Sequence, residues 1–363
     1  MNAVQPVAAS DYMAWAKLCS NARFNLAISG VVDYPLAELP VQIEDLEIGG
    51  TDPYGYRPLM ERLAKKARVP DNCVVYTLGA SMANYVALSA LVHRGDEVLI
   101  EQPTYDPLLA ILSQLGAKVR RFERRPELGF RLDLEELKHR LTPHVRLVVL
   151  CNLHNPSSTF TDEATMQRVG EIAANVGARV LVDEVYLETL FDQPWRSAFH
   201  IGPNFIATSS LTKAYGLSGI RCGWIVAQPD LVQRMWQIID FTYGSPVHPA
   251  ERLGIIALDN LDRIRHRARS LLETNRPMVN AFLADHPELD CKPSQFGTTV
   301  FPRLLTTRSV ADFVAILRDR FETSVVPGSF FEQPQHFRIG LCGTTETVSG
   351  GLERLGAALR SLS

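Results

Sequence analysis

The sequence predicts an α/β protein whose larger part is a mainly parallel sheet covered by helices, joined to a smaller α+β unit. Three observations carry this. Short uninterrupted apolar runs such as Val145–Leu150 (VRLVVL) alternate with helical patterns from about Gly55 to Ala227. Strands that are apolar on both faces suit a parallel sheet, which is buried on both sides. After Asp230 the pattern changes to long, charged, helix-like stretches, and 363 residues suffice for a large domain plus a smaller one.

Taken in order, Arg57–Ala67 and Ser81–Val92 read as helices and Glu97–Ile100 (EVLI) as a strand. Pro107–Leu115 is helical and Val145–Leu150 is a strand. Thr161–Val176 is a helix, with Asp162 and Glu163 suited to its positive N-terminal end. Ala178–Val182 (ARVLV), Phe205–Ser209 and Gly223–Ala227 (GWIVA) are further strands. Asp230–Phe241 and Glu251–Leu283 read as helices, Thr298–Leu305 (TTVFPRLL) as extended chain and Val310–Phe321 as a helix. Phe337–Leu341 (FRIGL) is a strand, and Val348–Leu362 closes the chain as a helix. The expected division is a large domain over residues 45–265 and a small one built from residues 1–44 and 266–363.

A formal net charge of -3 argues against nucleic acid and anionic membrane as partners. The apolar runs are too short to cross a bilayer, and the N-terminus lacks a basic start followed by a long apolar core. Six scattered cysteines without a C-x-x-C pair read as reduced thiols, so a cytoplasmic location is expected. The histidines show no metal-ligand spacing, no metal is expected, and His154 reads as structural.

The chemistry is concentrated in Ser210–Trp224, SLTKAYGLSGIRCGW. Lys213 follows a strand that runs into hydroxyl residues, and three glycines and Arg221 follow it. A lysine amine becomes a good nucleophile toward an aldehyde when its neighbours help it shed a proton. Ser210, Thr212 and Arg221 supply two hydroxyls and a permanent cation, which suit a doubly charged phosphate. An aldehyde that carries a phosphate describes pyridoxal 5'-phosphate (PLP).

Further polar residues stand where predicted strands end, which is where open α/β sheets bind ligands. Asp183 and Tyr186 follow ARVLV, Asn155 follows VRLVVL, and Tyr105 follows EVLIEQPT. An aspartate beneath a pyridine nitrogen keeps that nitrogen protonated. Tyr186 and Asn155 suit the ring's phenolate oxygen, and Tyr105 suits stacking on its face. Gly79, Ala80 and Ser81 open a helix whose N–H groups offer an anion site.

With these residues in place the chain resembles a class I/II aminotransferase of the PLP-dependent fold-type I superfamily, the aspartate aminotransferase-like group. The matching stretches are GASMANYVAL, GDEVLIEQPTYDP, NLHNPSST, VLVDEVY, SSLTKAYGLSGIRCGW, VVPGSFF and FRIGL, in the family's order. The resemblance implies a sheet of the seven-stranded type sandwiched by helices, with the small domain built from both termini. It implies that Lys213 forms the Schiff base and moves the substrate proton. It also implies that Asp183 meets the pyridine nitrogen, Asn155 and Tyr186 meet the ring oxygen, and Ser210, Arg221 and the Gly79–Ser81 turn hold the phosphate. Arg338 resembles the arginine that grips a substrate α-carboxylate, and Gly30 the backbone segment that covers the substrate. A homodimer acting on an amino acid and a 2-oxo acid is implied as well.

The chain departs from the pattern at three places. The usual NPTG turn reads Asn155-Pro156-Ser157-Ser158. The tyrosine lent to a partner's phosphate corresponds to Tyr54 or Tyr56. Arg252 is the one candidate for a side-chain carboxylate and has no motif around it, so a dicarboxylate specialist is not favoured. A β-lyase, a decarboxylase or a cyclising enzyme on the same scaffold shares these residues. A PLP-binding sensor lacks support because no DNA-binding module precedes this stretch. A nicotinamide dehydrogenase lacks it because no G-x-G-x-x-G follows the first strand.

Overall fold

The computed structural model describes residues 9–50 and 52–361, so Leu362, the expected end of the last helix, lies outside them. Seven strands form the main sheet: β1 (Val74–Leu78), β2 (Glu97–Gln102), β3 (Lys118–Glu123), β4 (Val145–Cys151), β5 (Arg179–Asp183), β6 (Phe205–Ser210) and β7 (Cys222–Val226). Their spatial order is β1-β7-β6-β5-β4-β2-β3, and β7 alone runs against its neighbours. The mainly parallel sheet expected from the sequence is therefore present.

Alternation along the strands divides the core between two faces. Leu147 and Val149 pack with Leu181, Ile206 and the helix residues Ala83, Val86 and Ala87 on one face. Val148 and Leu150 pack on the other with Val180, Val182 and Met166, Val169 and Ala173 of the helix Glu163–Ala174. That helix is capped by Asp162, whose carboxylate accepts from Thr165 N–H at 2.7 Å.

A separate core joins the two ends of the chain. Leu26 and Val31 pack with Leu272, Phe313, Phe337 and Leu355. Phe24–Asn25 pairs in parallel with Thr323–Ser324. The strand β8 (Phe337–Gly340) lies between Thr299–Val300 and Val326–Pro327.

The structure corrects several expected elements. The helix expected over Glu251–Leu283 is two, His248–Asp259 and Leu261–Asp285, which meet at Asn260. There the Asn260 amide donates to Ile256 O at 2.8 Å, competing with the backbone ladder. The extended stretch Thr298–Leu305 is two short strands on either side of Pro302, which has no N–H to give. The strands β1 and β3 and the helix α1 (Asp11–Leu18) carry no expectation from the sequence. Among the described residues no helix is long and apolar enough to cross a membrane.

One packing point positions the site. The helix α2 (Gly79–Leu91) begins where β1 ends, and Gly79 takes a left-handed backbone (φ 80) that glycine adopts freely. Gly223 on β7 pairs with Thr77, and a Cβ there would stand 2.5 Å from the Gly79 carbonyl carbon. Gly223→Ala therefore forces the sheet edge and the start of α2 apart. Urea unfolding should show a loss of about 1–3 kcal/mol, and an unchanged midpoint would contradict the packing described.

Candidate active site

The carboxyl ends of β4, β5 and β6 and the start of α2 surround a cavity of about 680 Å³. Lys213, Asp183, Asn155, Tyr186, Tyr105 and Gly30 line it, as do Ala80, Ser81, Ser210, Thr212 and Arg221. Gly79 and Arg338 stand directly behind this lining. A Cβ on Gly79 would fall 2.5 Å from Arg221 Nη2, so the glycine leaves room for the guanidinium. Arg338 reaches the cavity through Asn155 and Tyr12.

Lys213 sits in the single turn α3 (Thr212–Tyr215) that follows β6. Its amine donates to Ser29 Oγ at 3.0 Å, and its carbonyl accepts from Val31 N–H at 2.8 Å. Gly30 lies between these contacts, where a Cβ would stand 3.2 Å from Lys213 Cδ.

Asp183 ends β5 and is 5% exposed. Its carboxylate accepts from Asn84 Nδ2 at 2.7 Å and from Val185 N–H at 3.0 Å. The Asn84 oxygen in turn accepts from Thr208 Oγ1 at 2.6 Å. Burial pushes the Asp183 carboxyl above its ordinary range, although Asn84, Val185 and the Lys213 charge pull the other way. The aspartate is thus a dry anion suited to a cation directly above it.

At the other end of the cavity Arg338 is 1% exposed. Nη1 donates to Asn155 Oδ1 and Nη2 to Tyr12 Oη, both at 2.9 Å, while its buried Nε has no partner among the described residues. A buried guanidinium with a free donor is set to receive an anion. Burial raises the Tyr12 phenol, but Arg338 and Lys213 outweigh this and hold it below its ordinary value.

Arg221 adopts a left-handed backbone (φ 50), which costs a non-glycine residue roughly 1–3 kcal/mol. In return its guanidinium donates to Ser218 O and Leu78 O, each at 3.1 Å, beside the start of α2. No side chain caps that helix, so its first N–H groups and the Arg221 cation together fit a phosphate. With Lys213 and the dry Asp183 opposite, the donor set fits PLP.

Other expectations have definite outcomes. Ser158, standing where the family's turn carries glycine, takes φ 58, and its hydroxyl donates to Thr299 O at 2.9 Å. His154 is buried between Ser157 and Pro103 O, and burial holds it well below its ordinary pKa, as a structural residue. Arg252 pairs with Asp45 at 3.2 Å and does not line the cavity. Tyr54 packs at a tilt against Trp236 and Tyr56 edge-to-face against His248, also off the cavity lining. Reading the sequence missed Tyr12, Ser29 and Asn84. Asn84 carried a usable signal, a lone amide on the otherwise apolar face of GASMANYVAL.

Comparison with known proteins identifies the family. The family model "Aminotransferase class I and II" matches residues 47–355. The chain is 30% identical over 350 residues to the capreomycidine synthase of Streptomyces vinaceus, covering 93% of this chain and 90% of that protein. It is also 30% identical to the arginine–pyruvate transaminase of Pseudomonas aeruginosa, covering 89% and 86%. A solved PLP-dependent aminotransferase from Streptococcus suis superposes with a TM-score of 0.91 at 26% identity, covering 100% and 99%.

The Asp183 environment yields a stability prediction. A carboxyl whose pKa is higher in the folded chain than in the unfolded one contributes less stability as pH rises through the folded value. In the cofactor-free protein Asp183→Asn should therefore raise the melting temperature at neutral pH, with a gain that shrinks on acidification. A flipped Asn84 amide can serve the new side chain. A lower melting temperature at neutral pH would show that the carboxylate is not held at a cost.

Proposed function

The chain belongs to the class I and II aminotransferase family and its cofactor is PLP; from that premise we propose that it moves an amino group from an amino acid to a 2-oxo acid. The observation that carries this reading is one cavity holding the Lys213 amine and the dry Asp183 carboxylate, with the free donor of Arg338 behind it.

When bound, PLP supplies an electron sink that lets the Cα–H bond of an amino acid ionise. Asp183 presents a buried negative charge that keeps the pyridine nitrogen protonated, and Asn84 and Val185 hold that carboxylate in place. Tyr186 and Asn155 would bind the ring oxygen, and Tyr105 would pack on the ring. Ser210, Thr212, Arg221 and the N–H groups of Ala80 and Ser81, with Gly79 leaving room, would hold the phosphate. Arg338 takes the α-carboxylate of the substrate, using its free Nε and an adjacent Nη. Lys213 carries the proton removed from Cα, and Gly30 closes the segment above it.

A second reading, ring closure within the substrate, is supported by the likeness to capreomycidine synthase. The name of the arginine–pyruvate transaminase puts arginine first in a substrate panel.

The reading also includes a large domain over residues 45–265 and a small one from residues 1–44 and 266–363, which the core joining Leu26 to Leu355 supports. It includes a cytoplasmic homodimer. Exposed Ile43, Ile48, Phe241 and Val247, and half-exposed Tyr54, support the dimer, while free cysteines fit a reducing compartment. Sedimentation at micromolar concentration should show twice the chain mass, and a monomer would remove the dimer.

The reaction is tested by the cofactor's absorbance. Addition of an amino acid should convert the bound cofactor to its amine form, and a 2-oxo acid should restore the original spectrum. Ring closure would instead consume the substrate without that cycle. Arg338→Lys keeps the charge but loses the fork, so the amino acid's apparent Kd should rise by about ten-fold or more with PLP retained. Equal Kd values in the two proteins would sink the role of Arg338.

A further inference from the structure

Ser29 lies in the stretch that runs from the small core at Leu26 into the cofactor cavity, and it is 6% exposed. Its carbonyl accepts from Thr298 Oγ1 at 2.8 Å, which fixes its backbone. Its hydroxyl accepts from Lys213 Nζ at 3.0 Å, and two residues later Val31 N–H holds the Lys213 carbonyl at 2.8 Å. Gly30, between them, packs on the lysine stem. Three consecutive residues therefore grip Lys213 at its backbone, its stem and its amine.

We propose that Ser29 is a positioning residue for Lys213, holding the free amine so that its lone pair faces the incoming aldehyde of PLP. This rests on the reading of Lys213 as the lysine that captures the cofactor. An amine that donates one N–H to a fixed hydroxyl has its lone pair turned away from that hydroxyl. Without the bond, the four-carbon side chain samples many rotamers before it attacks. In the capture step the nitrogen lone pair forms the bond to the aldehyde carbon. Two protons then leave the nitrogen, and the carbonyl oxygen departs with them as water, so no oxidant or reductant is needed.

The test uses the full chain, freed of cofactor with hydroxylamine and dialysis, as wild type, Ser29→Ala, Ser29→Gly and Lys213→Ala. Capture of PLP is followed by stopped-flow absorbance, and affinity for pyridoxamine 5'-phosphate, which forms no bond to lysine, by equilibrium titration. Ser29→Ala should capture PLP about ten-fold more slowly, as expected for loss of one hydrogen bond to the amine, with affinity for pyridoxamine 5'-phosphate unchanged. Ser29→Gly should behave alike, and it decides the matter if the alanine protein does not fold. Capture at the wild-type rate would overturn the proposal, and so would an equal loss of pyridoxamine 5'-phosphate affinity, which reports general damage to the cavity. An adduct formed by Lys213→Ala would instead overturn the assignment of the lysine itself.

Discussion

A dry carboxylate at the end of a central strand is the constraint around which this protein is built. Asp183 stays in place because Asn84 and the Val185 N–H hold it, and Asn84 is itself fixed by Thr208 on the next strand. A buried charge satisfied by two donors, with no cation bonded to it among the described residues, is costly until a cationic ligand arrives. The neighbouring features border the same cavity. The glycine contact of β7 with α2 opens space for Arg221, and the uncapped start of α2 adds N–H groups beside that cation.

The second constraint is the route of the N-terminal segment. Leu26 and Val31 belong to the core made with the C-terminal residues, while Ser29 and Gly30 touch Lys213. Tyr12, on the short helix α1, bonds the same arginine that Asn155 bonds from the sheet. The residues that hold the lysine and the arginine therefore come from the N-terminal segment and from the end of a sheet strand. Any shift of the small core against the sheet alters the spacing between Lys213 and Arg338.

Most of the sheet and the cofactor end of the cavity were legible in the sequence, for physical reasons. Strands buried on both faces, such as VRLVVL, must be apolar throughout, and ligand residues follow them directly. The edge strand β3 (KVRRFE) was not legible, because all but Phe122 of it is exposed or half-buried and so carries no apolar run. Nor was β1, a five-residue run that ends at Leu78, directly before Gly79. Ser29, Tyr12 and Asn84 escaped because each acts through a partner far along the chain, 184, 326 and 99 residues away. A serine before a glycine or a tyrosine near the N-terminus has no local pattern to announce such a contact. The break at Asn260 was missed because its cause is a side chain competing with the helix ladder.

The central claim is that Lys213 captures the cofactor in a cavity built on Asp183 and Arg221. The most direct measurement is borohydride reduction of the purified protein loaded with PLP, followed by peptide mass analysis. The account predicts a pyridoxyl mass fixed on the peptide containing Lys213 and absent from Lys213→Ala. A label fixed on another lysine, or one that persists in Lys213→Ala, would contradict it.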